Sequence, residues 1–348
     1  MSEIQSVILQ WYQENKRDLP WRRTKNPYFI WLSEIILQQT RVAQGMSYYE
    51  KFIEKYPKIE SLAAAEEQDV LTTWQGLGYY SRARNIHTTA SFISKEYDGV
   101  FPTSYSDLLK LKGVGEYTAA AIASFAFDLP HAVVDGNVFR VLSRLFNLET
   151  PIDSTIGKKQ FAQLANEFLD KTQPALFNQA IMEFGALQCV PSSPNCEACP
   201  LVLHCEAYKL NKVTQLPIKK GKTKIRNRYF LYFFIYNPQN KTLLLRQKTE
   251  NDIWKNMYEF PKIEFTSLEN LKGFCDQNRA QIQLSSPLQK HILSHQHLHT
   301  QFISFSSSNR ERFNDAIQIP IIDIDTYPLP RLIDRFLEEN LASFLQEP

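Results

Sequence analysis

The chain has 348 residues, enough for two domains at about 150 residues each, and its 43% apolar and 22% charged residues are an ordinary globular composition that excludes wholesale disorder. Its longest apolar run, Tyr229 to Tyr236, is far short of the roughly 20 residues that cross a bilayer, and the opening MSEIQSVILQWYQENKR has an early acid and no small-residue cleavage site, so neither a membrane nor a secreted protein is expected. The net charge of +2 is uneven: −4 over residues 1–208, +8 over 209–228 and −2 over 229–348.

In chain order, Ile4, Val7, Ile8, Trp11 and Tyr12 recur at helical spacing, and FIWLSEIILQQT reads as an apolar helix interrupted by Glu34. Pro and Gly punctuate further helices from Pro57 to Thr118. A Gly113-Val114-Gly115 turn then joins SYSDLLKL to EYTAAAIASFAF, and Val138, Val141, Leu142 and Leu145 mark a helix that starts just after Asp135. Past the basic stretch, residues 228–236 are aromatic and β-branched, and TLLLRQ follows a polar turn, which reads as a hairpin; PLPRLIDRFLEENLASFL reads as a closing helix. The expected organisation is a helical unit over 1–208, a basic linker over 209–228 that serves as a solvated tether or tracks a polyphosphate backbone, and a smaller α/β unit over 229–348.

Three features carry chemistry. Cys189, Cys196, Cys199 and Cys205 lie within seventeen residues, and a tight thiol cluster in a chain without an export signal reads as metal ligation. Zinc sites favour two short knuckles; a single CxxC with gaps of six and five fits a four-thiolate [4Fe–4S] loop better, with zinc and inert buried thiols as the alternatives. Of only 11 glycines, five fall at Gly76, Gly78, Gly113, Gly115 and Gly136, where close backbone approach or positive φ is expected. The Gly-x-Gly turn into a helix N-terminus suits a phosphate, or is a plain packing turn. Glu34, desolvated in its apolar helix, should have a raised pKa and serve as a general acid. Asp135 reads as a helix N-cap or as a fixed anion near the positive end of that helix. A proton donor facing an anion is the pair that cleaves a glycosidic bond through an oxocarbenium-like state.

These segments resemble the adenine DNA glycosylases (the MutY family) of the helix-hairpin-helix base-excision superfamily: WLSEIILQQT, WQGLGYYSRARN, LKGVGEYTAAAI, VVDGNVFRVLSR and the four-cysteine loop occur in the family's order. The resemblance implies a mainly α, two-lobed helix-hairpin-helix glycosylase domain with a [4Fe–4S] loop over 189–205, followed by a smaller α/β Nudix-like domain over 229–348 that recognises 8-oxoguanine. It implies double-stranded DNA with A opposite 8-oxoguanine or guanine as substrate, the adenine flipped out of the duplex. The enzyme is expected to be monomeric and cytoplasmic, nucleoid-associated if bacterial.

Carried over by position, Glu34 protonates adenine N7 and Asp135 stabilises the sugar cation, while Asn137 holds that geometry and Tyr117 contacts the catalytic region. Arg17, Trp21, Leu37 and Gln179 line the adenine pocket. Gln39 and Tyr79 wedge around the opposing lesion, with Thr40 and Leu77 beside them, and Gly113 and Gly115 grip phosphate. Bifunctional cousins carry a lysine where this chain has Tyr117; a phenol forms no Schiff base, so base removal without efficient strand cleavage is expected. The family's Phe-Ser-His loop is Leu293-Ser294-His295 here, keeping the hydroxyl and imidazole of Ser294 and His295 but losing the aromatic ring. The C-terminal part has no acidic magnesium-binding motif, so it is expected to recognise and not to hydrolyse. The competing readings are another base preference on the same fold and a non-catalytic damage sensor.

Overall fold

A computed structural model describes residues 2–221, 224–305, 313 and 315–346. The chain divides into two compact units, residues 1–64 with 88–222, and residues 65–87 with 223–348.

The first unit is helical. Its main helices are Ser2–Asn15, Pro27–Ile36, Val42–Lys55, Glu116–Phe127, Gly136–Leu145, Thr155–Phe168 and Pro174–Leu187. The helical spacing read in the sequence is realised as burial. Ile8 and Tyr12 of the first helix join Val138, Val141, Leu142 and Leu145 in one core, completed by Phe161, Phe168, Phe177 and Phe184 from the last two helices. Each aliphatic side chain removed from water there contributes on the order of 1.5–3 kcal/mol, which offsets the ordering of the helices. Local signals set the boundaries. Asn26 accepts from the Tyr28 amide and Pro27 opens the helix behind it, while Ser154 caps Thr155–Phe168 through the Gly157 amide.

The second unit contains two sheets. In one, strand Arg226–Phe233 lies between Lys262–Phe265, antiparallel, and Gln296–Phe305, parallel; Ile282–Ser285 and Gln289–Ile292 both pair with Gln296–Phe305. In the other, Thr242–Gln247 is flanked by Tyr236–Asn237, Tyr258–Glu259 and Ile317–Pro320. The expected hairpin between residues 228–236 and TLLLRQ is therefore only partly formed. Tyr236 and Asn237 pair with Leu243 and Thr242, but the strand up to Phe233 belongs to the other sheet. The chain changes sheets because the Phe233 amide donates to Pro261 and the Phe234 amide to Ile303, non-local partners that the hairpin pattern does not encode. The closing helix runs Arg331–Gln346, directly after Pro330, and buries Leu332, Ile333, Phe336 and Leu337.

Residues 65–87 pack into this second unit through polar contacts. Asn256 Nδ2 donates to Glu67 Oε1 (2.6 Å), the Leu329 amide to Gln75 Oε1 (3.0 Å), and Arg84 Nη1 to the Lys255 carbonyl (2.9 Å). The basic stretch is divided by the fold. The Ile152 amide donates to the Ile218 carbonyl and Asp153 accepts from the amides of Lys220 and Gly221, whereas Arg226 and Arg228 belong to a strand and Arg228 is buried.

Candidate active site

Helix Pro27–Ile36 is buried over most of its surface, and Glu34 sits inside it at 7% exposure. Burial pushes the Glu34 carboxyl up to about 7, and the nearby Asp135 adds to the rise, while the Tyr117 hydroxyl and Arg22 oppose it. Tyr117, from the first turn of Glu116–Phe127, donates to Glu34 Oε2 at 2.6 Å. Burial, together with the Glu34 and Asp135 charges, holds the phenol protonated. Oε1 is thus the oxygen left to carry a proton.

Asp135 is the N-cap of Gly136–Leu145. Its Oδ1 accepts from the amides of Asn137 (2.9 Å) and Val138 (2.8 Å), and its Oδ2 accepts from Asn137 Nδ2 (2.7 Å). Of the two readings of Asp135 in the sequence, the helix N-cap is realised. Burial raises the Asp135 pKa from its ordinary value, whereas these three hydrogen bonds and the Arg140 guanidinium pull it back. The three donors bind the ionised form more strongly than the neutral one and so favour the anion.

Glu34, Asp135, Asn137 and Tyr117 share one cavity of about 200 Å³ with Arg17, Trp21, Leu37, Thr40 and Gln179. Every residue assigned by resemblance to the adenine pocket lines this cavity. Thr40, grouped by resemblance with the lesion contacts, lines it too. Gln39 stands in the turn after the helix at φ +56°, a left-handed conformation uncommon outside glycine.

Sequence reasoning missed Glu183 and Arg22 in this lining. Glu183, almost fully buried, accepts from Arg17 Nε (2.8 Å) and Nη2 (2.6 Å) and from Arg22 Nη1 (3.0 Å) and Nη2 (2.8 Å). Burial alone would raise Glu183, but the paired guanidiniums hold it down at about 2. The same cavity lining thus carries an ionised Glu183 and a Glu34 whose carboxyl is pushed up to about 7. The available signal was the one that singled out Glu34: Glu183 is the lone acid of PALFNQAIMEFGAL.

Asn137 is fixed from behind. Arg140 Nη2 donates to Asn137 Oδ1 (2.9 Å) and to the Gly185 carbonyl (2.6 Å), and Arg140 Nε donates to the Cys189 carbonyl (2.7 Å). Gly185 permits this approach, since a Cβ there would fall 2.7 Å from Asn137 Cβ and 2.9 Å from its carbonyl oxygen.

All four cysteines of the loop are free thiols lining one cavity together with Arg144, whose Nη1 donates to Cys189 Sγ (3.4 Å). Burial and the neighbouring sulfurs push Cys199 up to about 11 and raise Cys196 and Cys205 as well, so a positively charged guest would be needed to draw off their protons. Among the described residues no three such side chains close on a point as one metal ion requires. The thiols instead ring a space, which suits a polynuclear cluster.

Gly113 turns at φ +80° into Gly115, the N-cap of Glu116–Phe127, and the side of Gly115 where a Cβ would stand is open. In the second unit, Leu77, Tyr79, Ser294 and His295 line a separate cavity of about 430 Å³. Tyr79 is held at φ +48° and its hydroxyl is hydrogen-bonded to Ser294 Oγ. Two further histidines of this region have structural partners: His299 stacks on Tyr229 and bonds Asn227 Oδ1 (3.0 Å), and His291 packs edge-on to Trp254.

The comparisons agree with this architecture. Residues 32–169 match the model of the HhH-GPD superfamily base excision DNA repair proteins, and residues 231–339 match that of the NUDIX domain. The adenine DNA glycosylase of Buchnera aphidicola subsp. Baizongia pistaciae is 38% identical over 297 residues, spanning 83% of this chain and 82% of that protein. The adenine DNA glycosylase of Arabidopsis thaliana is 36% identical over 75% of this chain and 47% of its own length. Among solved structures, a thermostable thymine-DNA glycosylase superposes with a TM-score of 0.56 at 30% identity, over 60% of this chain and 96% of its own. An endonuclease III–DNA complex shares the fold (TM-score 0.53, 24% identity, 60% of this chain and 95% of that chain). Among the described residues no helix is long and apolar enough to cross a membrane. With a near-neutral buried glutamate facing a capped aspartate, this chain belongs to the adenine DNA glycosylase family and is a glycosylase of base excision repair.

Proposed function

We propose that the substrate is duplex DNA carrying adenine opposite 8-oxoguanine or guanine, and that the enzyme removes the base without cutting the strand. The observation that carries this reading is the pairing, in one cavity, of a protonatable Glu34 with an Asp135 whose three hydrogen bonds favour its anion. Extruded adenine enters the cavity, and Glu34 gives its proton to N7 as the bond from N9 to the sugar breaks, the bonding electrons leaving with the base. Asp135 faces the cationic sugar, water supplies hydroxide to C1′, and the remaining proton restores Glu34. Arg17, Trp21, Leu37 and Gln179 orient the purine; Tyr12 donates to Gln179 Oε1 (3.0 Å), which fixes the amide and turns its NH2 group to the base. The open side of Gly115 supports a close phosphate approach. Tyr79, Ser294 and His295 read the opposing lesion.

In the second unit, four carboxylates are paired with cations and so are not free to hold magnesium: Glu259 with Lys262, Asp252 and Glu264 with Arg228, and Glu250 with Arg246. That supports recognition over hydrolysis. The test uses duplexes with adenine opposite 8-oxoguanine, adenine opposite guanine, and thymine glycol, with strand breaks read before and after alkali. Breaks at adenine only after alkali, and no borohydride-trapped enzyme–DNA adduct, are expected; abundant trapping would refute the monofunctional assignment.

Cys189, Cys196, Cys199 and Cys205 would hold a [4Fe–4S] cluster, which when bound supplies a covalent closure of the loop beside Arg140 and Arg144. Cys199→Ser is expected to yield protein with well under four irons per chain and weakened duplex binding. Stoichiometric zinc in the purified wild-type chain would overturn the assignment.

A further inference from the structure

Arg228, at 6% exposure the most deeply buried arginine of the second unit's ion pairs, belongs to no site described above. It stands near the start of strand Arg226–Phe233 and reaches three partners. Nε and Nη2 donate to Glu264 (2.8 and 2.6 Å), and Nη1 donates to Asp252 Oδ2 (2.6 Å) and to Gln296 Oε1 (3.2 Å). Glu264 lies in a neighbouring strand of the sheet. Asp252 lies in a loop, Gln296 is the first residue of strand Gln296–Phe305 and directly follows the loop 293–295, and both line the cavity that contains Tyr79, Ser294 and His295.

Each of those loops carries a cavity wall. The first continues from Asp252 through Ile253 to Trp254, which is held at φ +61°, a conformation an aromatic residue adopts only when its surroundings dictate it. The second is the turn Leu293-Ser294-His295, closed by the Leu293 amide on the Gln296 carbonyl (2.8 Å). One guanidinium thus holds both the Asp252 loop and the strand residue on which the 293–295 turn ends. Its planar fork gives directional contacts that a flexible ammonium would not reproduce. Lys248 also approaches Asp252, at 3.5 Å.

We propose that Arg228 is a positioning residue for lesion recognition, clamping the Trp254 loop and the Ser294–His295 turn at the spacing that accepts the opposing base, with Trp254 as the aromatic wall of that cavity. This rests on the reading of the cavity as the lesion site. The ring missing at Leu293 is then supplied from the facing loop.

The test is single-turnover adenine release from adenine opposite 8-oxoguanine and opposite guanine in the full chain, for Arg228→Met, Arg228→Lys, Asp252→Asn, Trp254→Leu and, as a control on the site itself, Ser294→Ala. Arg228→Met and Trp254→Leu are each expected to reduce the ratio of release opposite 8-oxoguanine to release opposite guanine about tenfold or more. Asp252→Asn keeps the loop's shape and should give a smaller loss of the same kind, and Arg228→Lys should restore only part of the preference. If Arg228→Met proves unstable, Asp252→Asn and Trp254→Leu carry the test. Equal losses on both duplexes would mean a merely structural role and would overturn the proposal. If Ser294→Ala lowers the preference but neither the Arg228 nor the Asp252 change does, the clamp is wrong and the site stands. An unchanged preference in Ser294→Ala and Trp254→Leu alike would remove the lesion site itself.

Discussion

Glu34→Gln should slow adenine release by about 10²–10⁴-fold, the range by which a positioned acid accelerates proton transfer, while duplex affinity stays within a few fold. Glutamine fills the same space and still accepts from Tyr117, so packing is kept and only the transferable proton is lost. The same substitution should stabilise the fold at high pH. The folded carboxyl titrates near 7 against an ordinary value of 4.5, so between those pH values the native chain keeps a proton that the unfolded chain has released. Stability therefore falls as pH rises through that window and levels off above it. The cost is roughly 3 kcal/mol at about 1.4 kcal/mol per pH unit. At pH 8 the variant should melt higher than the wild type, and near pH 4.5 the two should converge. Wild-type release should decline above about pH 7 as Glu34 ionises. A glutamine variant that cleaves normally, or a rate that climbs steadily to pH 9, would remove Glu34 from its role.

Asp135→Asn should lower release by about 10²–10³-fold, the scale seen when one preorganised electrostatic contact to a transition state is lost. Melting should fall only modestly: asparagine caps a helix about as well as aspartate, and the unsatisfied donor it introduces costs on the order of 1–3 kcal/mol. The loss has a second origin besides charge. Arg140 donates to Asn137 Oδ1 and so forces Asn137 Nδ2 toward position 135. An asparagine whose oxygen caps the helix meets that NH2 with its own NH2, donor against donor. Measuring release and melting together distinguishes this from a general weakening: activity falling in proportion to stability would show that the residue acts only as a cap.

The sequence by itself determined the helical identity of the first unit, because apolar spacing at Ile8 and Tyr12 and at Val138 to Leu145 specifies which face is buried before any partner is known. It also determined the chemical types: a lone acid in an apolar helix is desolvated when that helix is buried, and four thiols within seventeen residues are offered to one site. Tertiary structure alone decided which buried acid keeps its proton. Glu34 and Glu183 look alike in sequence, yet Glu183 receives Arg17 and Arg22 from more than 160 residues away and is ionised down to about 2, while Glu34 receives only a phenol and stays near 7. The change of sheet after Phe233 and the burial of Arg228 were hidden for the same reason. Strand pairing and ion pairing depend on groups far along the chain, and a local pattern describes what a segment offers without naming what will meet it.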